Sequence, residues 1–205
     1  MNEKFFDELK EKIKKSMEIG GSHEFSHTER VLKNSLIIAS SEKCDLDVVK
    51  AAALLHDIAR TKEDNGEIKC HAEEGAKEAA KILREIEFPK EKTEKVVISI
   101  KSHRLSKSIK PEIKEAQILQ DADRLDSLGA ILIARAFSSA SIHNRPFYDP
   151  KGEKQSVISF IKERASKLKP EFFNTKKGRE IAKERYTYSE EFIKEFIKEF
   201  DMEKK

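Results

Sequence analysis

The chain has 205 residues, 39% of them charged and 38% hydrophobic, with no Trp, seven Gly and five Pro, a balance that favours a helical protein with heavily charged outer faces. A net charge of +3 argues against a dedicated nucleic-acid binder, which would carry a concentrated basic stripe. Cys44 and Cys70 are too few for a disulfide scaffold or a zinc knuckle, and with no long apolar run and no charged-then-apolar start, a soluble cytoplasmic protein without a membrane partner is expected.

The length implies one domain over 1–205, with a core at about 20–140 and a C-terminal helical extension at about 150–203. In chain order, Phe5, Phe6, Leu9, Ile13 and Met17 recur at helical spacing, so the first segment is an amphipathic helix closed by Gly20-Gly21. A loop carries Ser22-His23-Glu24. A second helix covers about Phe25 to Ser40, with His27, Val31, Leu32, Ser35 and Ile38 or Ala39 near one face. Asp45 is the N-cap of a third helix, an apolar run ending in His56-Asp57, and Thr61 to Lys69 around Asn65-Gly66 reads as a polar loop. His71 to Ile86 is a fourth helix stopped by Phe88-Pro89. Lys90 to His103 is a fifth, with Val96, Val97 and Ile100 on its apolar side.

After Pro111, the stretch from about Glu112 to Phe137 reads as one long buried helix bent near Gly129. Ser138 to Gly152, with Pro146 and Pro150, is the longest loop and a candidate lid or partner contact. Val157, Ile158, Ile161, Ala165 and Leu168 form the stripe of one further helix. Ile181, Tyr188, Phe192, Phe196 and Phe200 form that of a long last one, a row that reads as core or as the seam of a homodimer. No strand alternation and no repeat is visible, so the fold class is all-α.

Two imidazoles and two carboxylates are distributed among these elements: His27, the pair His56-Asp57, and an aspartate in the run Gln120-Asp121-Ala122-Asp123-Arg124-Leu125-Asp126. Such a donor set suits Mn²⁺, Mg²⁺, Fe²⁺, Co²⁺, Ni²⁺ or Zn²⁺ and leaves coordination positions for water and substrate. A buried His beside an Asp needs a partner, and a cation is the simplest one. The residues alone leave Asp121, Asp123 and Asp126 open as the last ligand.

This pattern resembles the HD-domain metal-dependent phosphohydrolases, whose ligands run His, His-Asp and a distant Asp. Ser26-His27-Thr28-Glu29-Arg30-Val31, Leu55-His56-Asp57-Ile58 and the block from Gln120 to Phe137 are similar to the small bacterial and archaeal predicted HD hydrolases. The resemblance implies a single helical HD domain with its metal site between core helices. It also implies metal ligands His27, His56, Asp57 and Asp123, and a water activated by the ion and oriented by Asp57 as the catalytic residue.

The substrate implied is a nucleotide or another small phosphorylated metabolite, with nucleoside triphosphate pyrophosphohydrolysis as the specific version. Arg30, Lys62 and Arg104 are candidates to meet its phosphates, Lys62 and Arg104 because each follows a motif His in a polar loop; Arg124 and Arg135 are weaker, and the bland reading of each cation is a solvated or salt-bridged face. One ion is favoured, with His71 and His103 as pocket residues that hydrogen-bond phosphate or water. A second ion on those two histidines is the alternative and would bring phosphodiester hydrolysis or di-iron oxygen chemistry. A nucleotide or metal sensor without turnover is a third reading. Some HD families place an acid soon after His-Asp, whereas here Ile58-Ala59-Arg60-Thr61-Lys62 follows. The general acid is unassigned, with Glu63, Asp64, Glu73 and Glu74 as candidates, and His23 and His143 read as surface histidines.

Overall fold

The computed structural model describes residues 1–17, 25–104 and 109–200. Every regular element among them is helical. The Gly20-Gly21 stop and the loop carrying His23 lie outside the described residues. No described helix is long and apolar enough to cross a membrane. The chain divides into two compact units, Met1–Asp123 and Arg124–Lys205.

The first unit contains α1 (Glu3–Met17), α2 (Phe25–Ala39), α3 (Leu46–Leu55), α4 (Arg60–Asp64), α5 (His71–Glu85), α6 (Lys90–Ser102) and α7 (Lys114–Leu125), whose last two residues open the second unit. At its centre lies α3, with Val48, Val49 and every residue from Ala51 to Leu55 buried. Its three alanines let neighbouring helices approach closely, and α1, α2, α5 and α6 all pack on it. The expected N-cap is present: the Asp45 carboxylate accepts the N–H groups of Asp47 at 3.0 Å and Val48 at 3.4 Å. On α5, Ala72, Gly75, Ala76, Ala79 and Leu83 face inward at the spacing of one helical stripe.

Two expectations are corrected here. The stretch Thr61 to Lys69 is not all loop, because the short α4 runs through its first residues; no α4 residue is buried, so hydrophobic periodicity carried no signal of it. The helix from Glu112 to Phe137 is not continuous. α7 stops at Leu125, Leu128 is extended at φ −134° and ψ 161°, and a new helix begins at Gly129 with φ +68°.

The second unit holds α8 (Gly129–Ser138), α9 (Val157–Ser166), a 3-10 turn at Pro170–Phe172 and α10 (Lys176–Phe200). Its core is Leu132, Ile133, Ala136, Ala140, Val157 and Ile161, with Phe137, Phe160, Phe192 and Ile193 packed against it. The apolar run of α8 is therefore buried on one face only, since Ala130 and Ala134 are exposed. The aromatic row of α10 also divides: Phe192 and Phe196 meet Phe137, while Tyr188 and Phe200 are about half exposed. The stripe expected for α9 is buried along its whole length, from Val157 to Leu168, and Ser156 and Ser159 form a capping box at its start. The loop after α8 is tied back to α9 by hydrogen bonds from the N–H groups of Val157 and Ile158 to the carbonyls of Pro146 and Phe147.

Candidate metal centre

The first unit brings its ligand-type side chains to one place from five helices. His27 comes from the first turn of α2, His56 from the C-cap of α3 with Asp57 next to it, His71 from the first residue of α5, His103 from the C-cap of α6 and Asp123 from α7. All four histidines and Asp57 are buried. The Asp123 side chain is 24% exposed.

Ring orientation follows from local backbone. Carbonyls in the last turn of a helix have acceptor capacity left over, and two of the rings use it: His56 Nδ1–H donates to Ala53 O at 2.8 Å and His103 Nδ1–H to Ile100 O at 2.6 Å. His71 sits at a helix start instead, and its Nδ1–H donates to the Glu63 carboxylate on α4 at 2.5 Å. These partners assign the tautomers. In each neutral ring the proton is on Nδ1 and the Nε2 lone pair points into the cluster.

Asp57 lies at the middle. Its Oδ2 is 3.7 Å from both His27 Nε2 and His56 Nε2, and its Oδ1 is 3.3 Å from His71 Nε2 and 3.5 Å from His103 Nε2. The paired rings face each other through Nε2, His56 with His27 at 3.2 Å and His71 with His103 at 3.3 Å. Asp123 adjoins through His27, its Oδ1 3.4 Å from Nε2. Two three-residue sets of donor atoms result, His27-His56-Asp57 and Asp57-His71-His103, sharing Asp57.

These donor sets fit a divalent ion. Ligand bonds of about 2.1 Å place neighbouring donors about 3.0 Å apart at right angles and about 3.4 Å apart at tetrahedral angles, close to the separations found here. The chemistry agrees with the spacing. The His71 and His103 lone pairs point at each other across 3.3 Å, an arrangement that calls for a positive charge between them, either a proton or a metal ion.

The electrostatics show the same demand. Burial pushes the His56 and His71 rings down, toward the neutral form that ligates metals. Burial also opposes charge on His103, but the Asp57 carboxylate outweighs it and raises that ring. Burial would raise Asp57 and Asp123, yet the surrounding histidines hold both carboxyls below the usual range, so both are ionised at neutral pH.

The remaining sequence candidates have definite places. Arg30 is half-buried one turn beyond His27 and donates to Ser26 Oγ at 3.1 Å. Lys62 is paired with Glu78 at 2.6 Å. Arg104 embraces Glu63, with Nη1 3.0 Å from Oε2 and Nη2 2.8 Å from Oε1. Arg124 donates to Phe172 O at 2.8 Å and Arg135 lies 3.5 Å from Asp126. Asp121 and Asp126 are buried, and His143 is exposed.

Of the general-acid candidates, Glu63 is held down to about 2: burial opposes this, but hydrogen bonds from His71 and Arg104 prevail. It carries no proton to give at neutral pH. Asp64 pairs with Arg60 and Glu74 with Lys77. What the sequence did not reveal is the bond from Glu63 to His71, since a glutamate in a polar stretch eight residues before a histidine has no distinguishing spacing.

Residues 25–128 match the HD domain family. The protein YpgQ of Bacillus subtilis is 32% identical over 179 residues, which cover 84% of this chain and 82% of YpgQ, and a crystal structure of YpgQ in complex with ADP superimposes with a TM-score of 0.74 over 95% of this chain and 97% of that one at 28% identity. An HD-superfamily hydrolase from Bacillus thuringiensis aligns over 97% of both chains with a TM-score of 0.80 and 28% identity. A predicted HD-superfamily hydrolase from an uncultured Thermotogales bacterium aligns over 95% of this chain and 92% of that one, with 34% identity and a TM-score of 0.71. The chain belongs to the HD-domain family and is a hydrolase of the HD superfamily.

Proposed function

We propose that this hydrolase cleaves a phosphate ester or anhydride bond in a nucleotide or another small phosphorylated metabolite, with a nucleoside triphosphate releasing pyrophosphate as the specific version. The observation that carries the reading is Asp57, a buried carboxylate whose two oxygens face two pairs of histidine Nε2 atoms. The ADP bound by YpgQ supports a nucleotide.

His27, His56, Asp57 and Asp123 would hold the ion. When bound, a divalent ion lowers the pKa of its water toward about 7 and polarises a phosphoryl oxygen. The chain's own residues do the rest. Ala53 O fixes His56 so that Nε2 faces the cluster. Asp57 is ionised, so one of its carboxylate oxygens would orient the attacking water or accept its proton. Arg30, on the same side of α2 as His27, would neutralise phosphate charge. Lys62 and Arg104 would reach a phosphate only by releasing Glu78 and Glu63.

A second reading has its own support. Phosphate oxygens accept hydrogen bonds, so a pocket histidine that binds them must present an N–H. His71 and His103 donate their Nδ1–H groups to Glu63 and Ile100 O, so each neutral ring presents its Nε2 lone pair to the cluster instead. Asp57, His71 and His103 would hold a second divalent ion, which would extend the chemistry to phosphodiesters.

The test is phosphate and pyrophosphate release from a panel of nucleotides and phosphomonoesters with Mn²⁺, Mg²⁺, Co²⁺ or Fe²⁺, comparing wild type with Asp57→Ala. Metal-dependent release that the variant lacks is expected, and the product separates monophosphatase from pyrophosphohydrolase. Release that survives in Asp57→Ala, or none with any metal, overturns the proposal, and tight nucleotide binding without product would point to a sensor.

A further inference from the structure

Behind the second donor set stands a carboxylate that belongs to neither set, Glu63. Glu63 accepts two hydrogen bonds from His71, from its backbone N–H at 2.7 Å and from Nδ1–H. It is also gripped by both terminal nitrogens of Arg104, Nη1 on the same Oε2 at 3.0 Å and Nη2 on Oε1 at 2.8 Å. Glu63 lies on α4, His71 opens α5 and Arg104 follows α6, so three separate elements meet in one bidentate clamp. An ionised carboxylate only accepts hydrogen bonds. Its contact with Nδ1 therefore keeps the His71 proton on that nitrogen.

We infer that Glu63, held by Arg104, is the positioning residue of the second donor set: it fixes His71 in the Nδ1–H tautomer, turns the Nε2 lone pair toward Asp57 Oδ1, and so makes Asp57, His71 and His103 a divalent-cation site. The inference rests on the two-ion reading above. It assigns Arg104 to holding Glu63 rather than to meeting substrate. It also explains why two histidine lone pairs face each other at 3.3 Å, since His103 is fixed by Ile100 O and His71 by Glu63. Glutamine at position 63 would keep the volume but lose the constraint. Its amide can donate as well as accept, which frees the His71 proton to move to Nε2, where a cation would bind.

Two measurements test this. In metal-free wild-type protein, long-range ¹H–¹⁵N correlation of the imidazoles should show His71 as the Nδ1–H tautomer, and in Glu63→Gln that preference should be lost; a wild-type ring protonated on Nε2 alone overturns the inference without any variant. Mn²⁺ titration followed by electron paramagnetic resonance should give two ions in wild type, coupled to each other. In Glu63→Gln the first ion should stay and the second should weaken by about 10–100-fold, the usual effect of removing a partner behind a ligand. Two equally tight ions in Glu63→Gln, or loss of both from a folded variant, count against Glu63. A single ion in wild type overturns the two-ion reading instead, and the tautomer measurement tells the two failures apart.

Discussion

Two glycines, one in each unit, show how single positions set the fold. Gly75 lies within α5, where a Cβ would meet His56 O at 3.6 Å, Ala59 Cβ at 3.7 Å and Ile58 Cγ2 at 3.7 Å, all ordinary contacts. Gly75→Ala is expected to stabilise the protein by about 0.5–1 kcal/mol through reduced chain entropy in a helix interior. Gly129 is the opposite case. It starts α8 at φ +68°, and a Cβ would come within 3.2 Å of Arg185 Cβ and 3.3 Å of Arg185 Cγ, on a side chain pinned by its 2.7 Å bond to Leu125 O. Gly129→Ala should cost about 1–3 kcal/mol. Urea denaturation of both variants checks the pair, and a destabilised Gly75→Ala or a neutral Gly129→Ala would contradict it. At this scale the sequence made the site's residue types legible, because His27, His56-Asp57 and Asp123 stand in a recognisable order, and all of them converge in the first unit. The sequence was silent on which ring nitrogen faces inward. That depends on Ala53 O, Ile100 O and Glu63, partners set by helix ends and tertiary approach.

Among the elements, α3 carries the pair at the centre of the cluster, and its other end is built from charge. Asp45 caps it, Glu115 accepts the Asp45 N–H at 2.7 Å, and Lys92 on α6 bridges Asp45 and Asp47. Asp45→Ala is expected to cost about 1 kcal/mol, the usual value of an N-cap. Asp47 adds a pH dependence. Burial works against its charged form, but Lys92 and the Met1 amine prevail and hold the carboxyl below its ordinary 3.8. A carboxylate depressed in the folded state contributes stability that is fully present above the unfolded pKa and is lost as pH falls through the folded one. The stability difference between wild type and Asp47→Asn, about 1 kcal/mol at pH 6, should therefore shrink as the pH is taken below 3.8. A difference that stays constant down to pH 2 would dissociate Asp47 from Lys92 and the Met1 amine. The cap at Asp45 could be read directly, because its signal is one residue type before an apolar run. The break between α7 and α8 was legible only as a bend near Gly129, because Leu125 and Leu128 are both buried and the apolar pattern continues across the point where the backbone leaves the helix. α4 escaped notice for the reverse reason, having no buried face at all.

On the scale of the whole molecule, the cluster buries four histidines and Asp57 among apolar helices, with the half-buried Asp123 beside them. Burying such groups without a cation costs stability, and whatever binds the folded chain but not the unfolded one returns it. Metal removal should consequently be visible as a change in melting, independent of any assay of substrate. An ion present at about a hundred times its dissociation constant stabilises the folded state by about 2.7 kcal/mol, which for a chain of this size raises the melting temperature by roughly 5–10 °C. Protein stripped with a chelator should melt that much lower than protein with Mn²⁺ restored. Asp57→Ala, which lacks the carboxylate common to both donor sets, should melt at the same temperature with and without Mn²⁺. Asp45→Ala, weakened at a distance from the ligands, should melt lower than wild type yet retain the full Mn²⁺ response. Equal melting of wild type in chelator and in Mn²⁺ would mean that the buried histidines satisfy one another with protons alone, and the family's metal chemistry would then have to be sought on other residues.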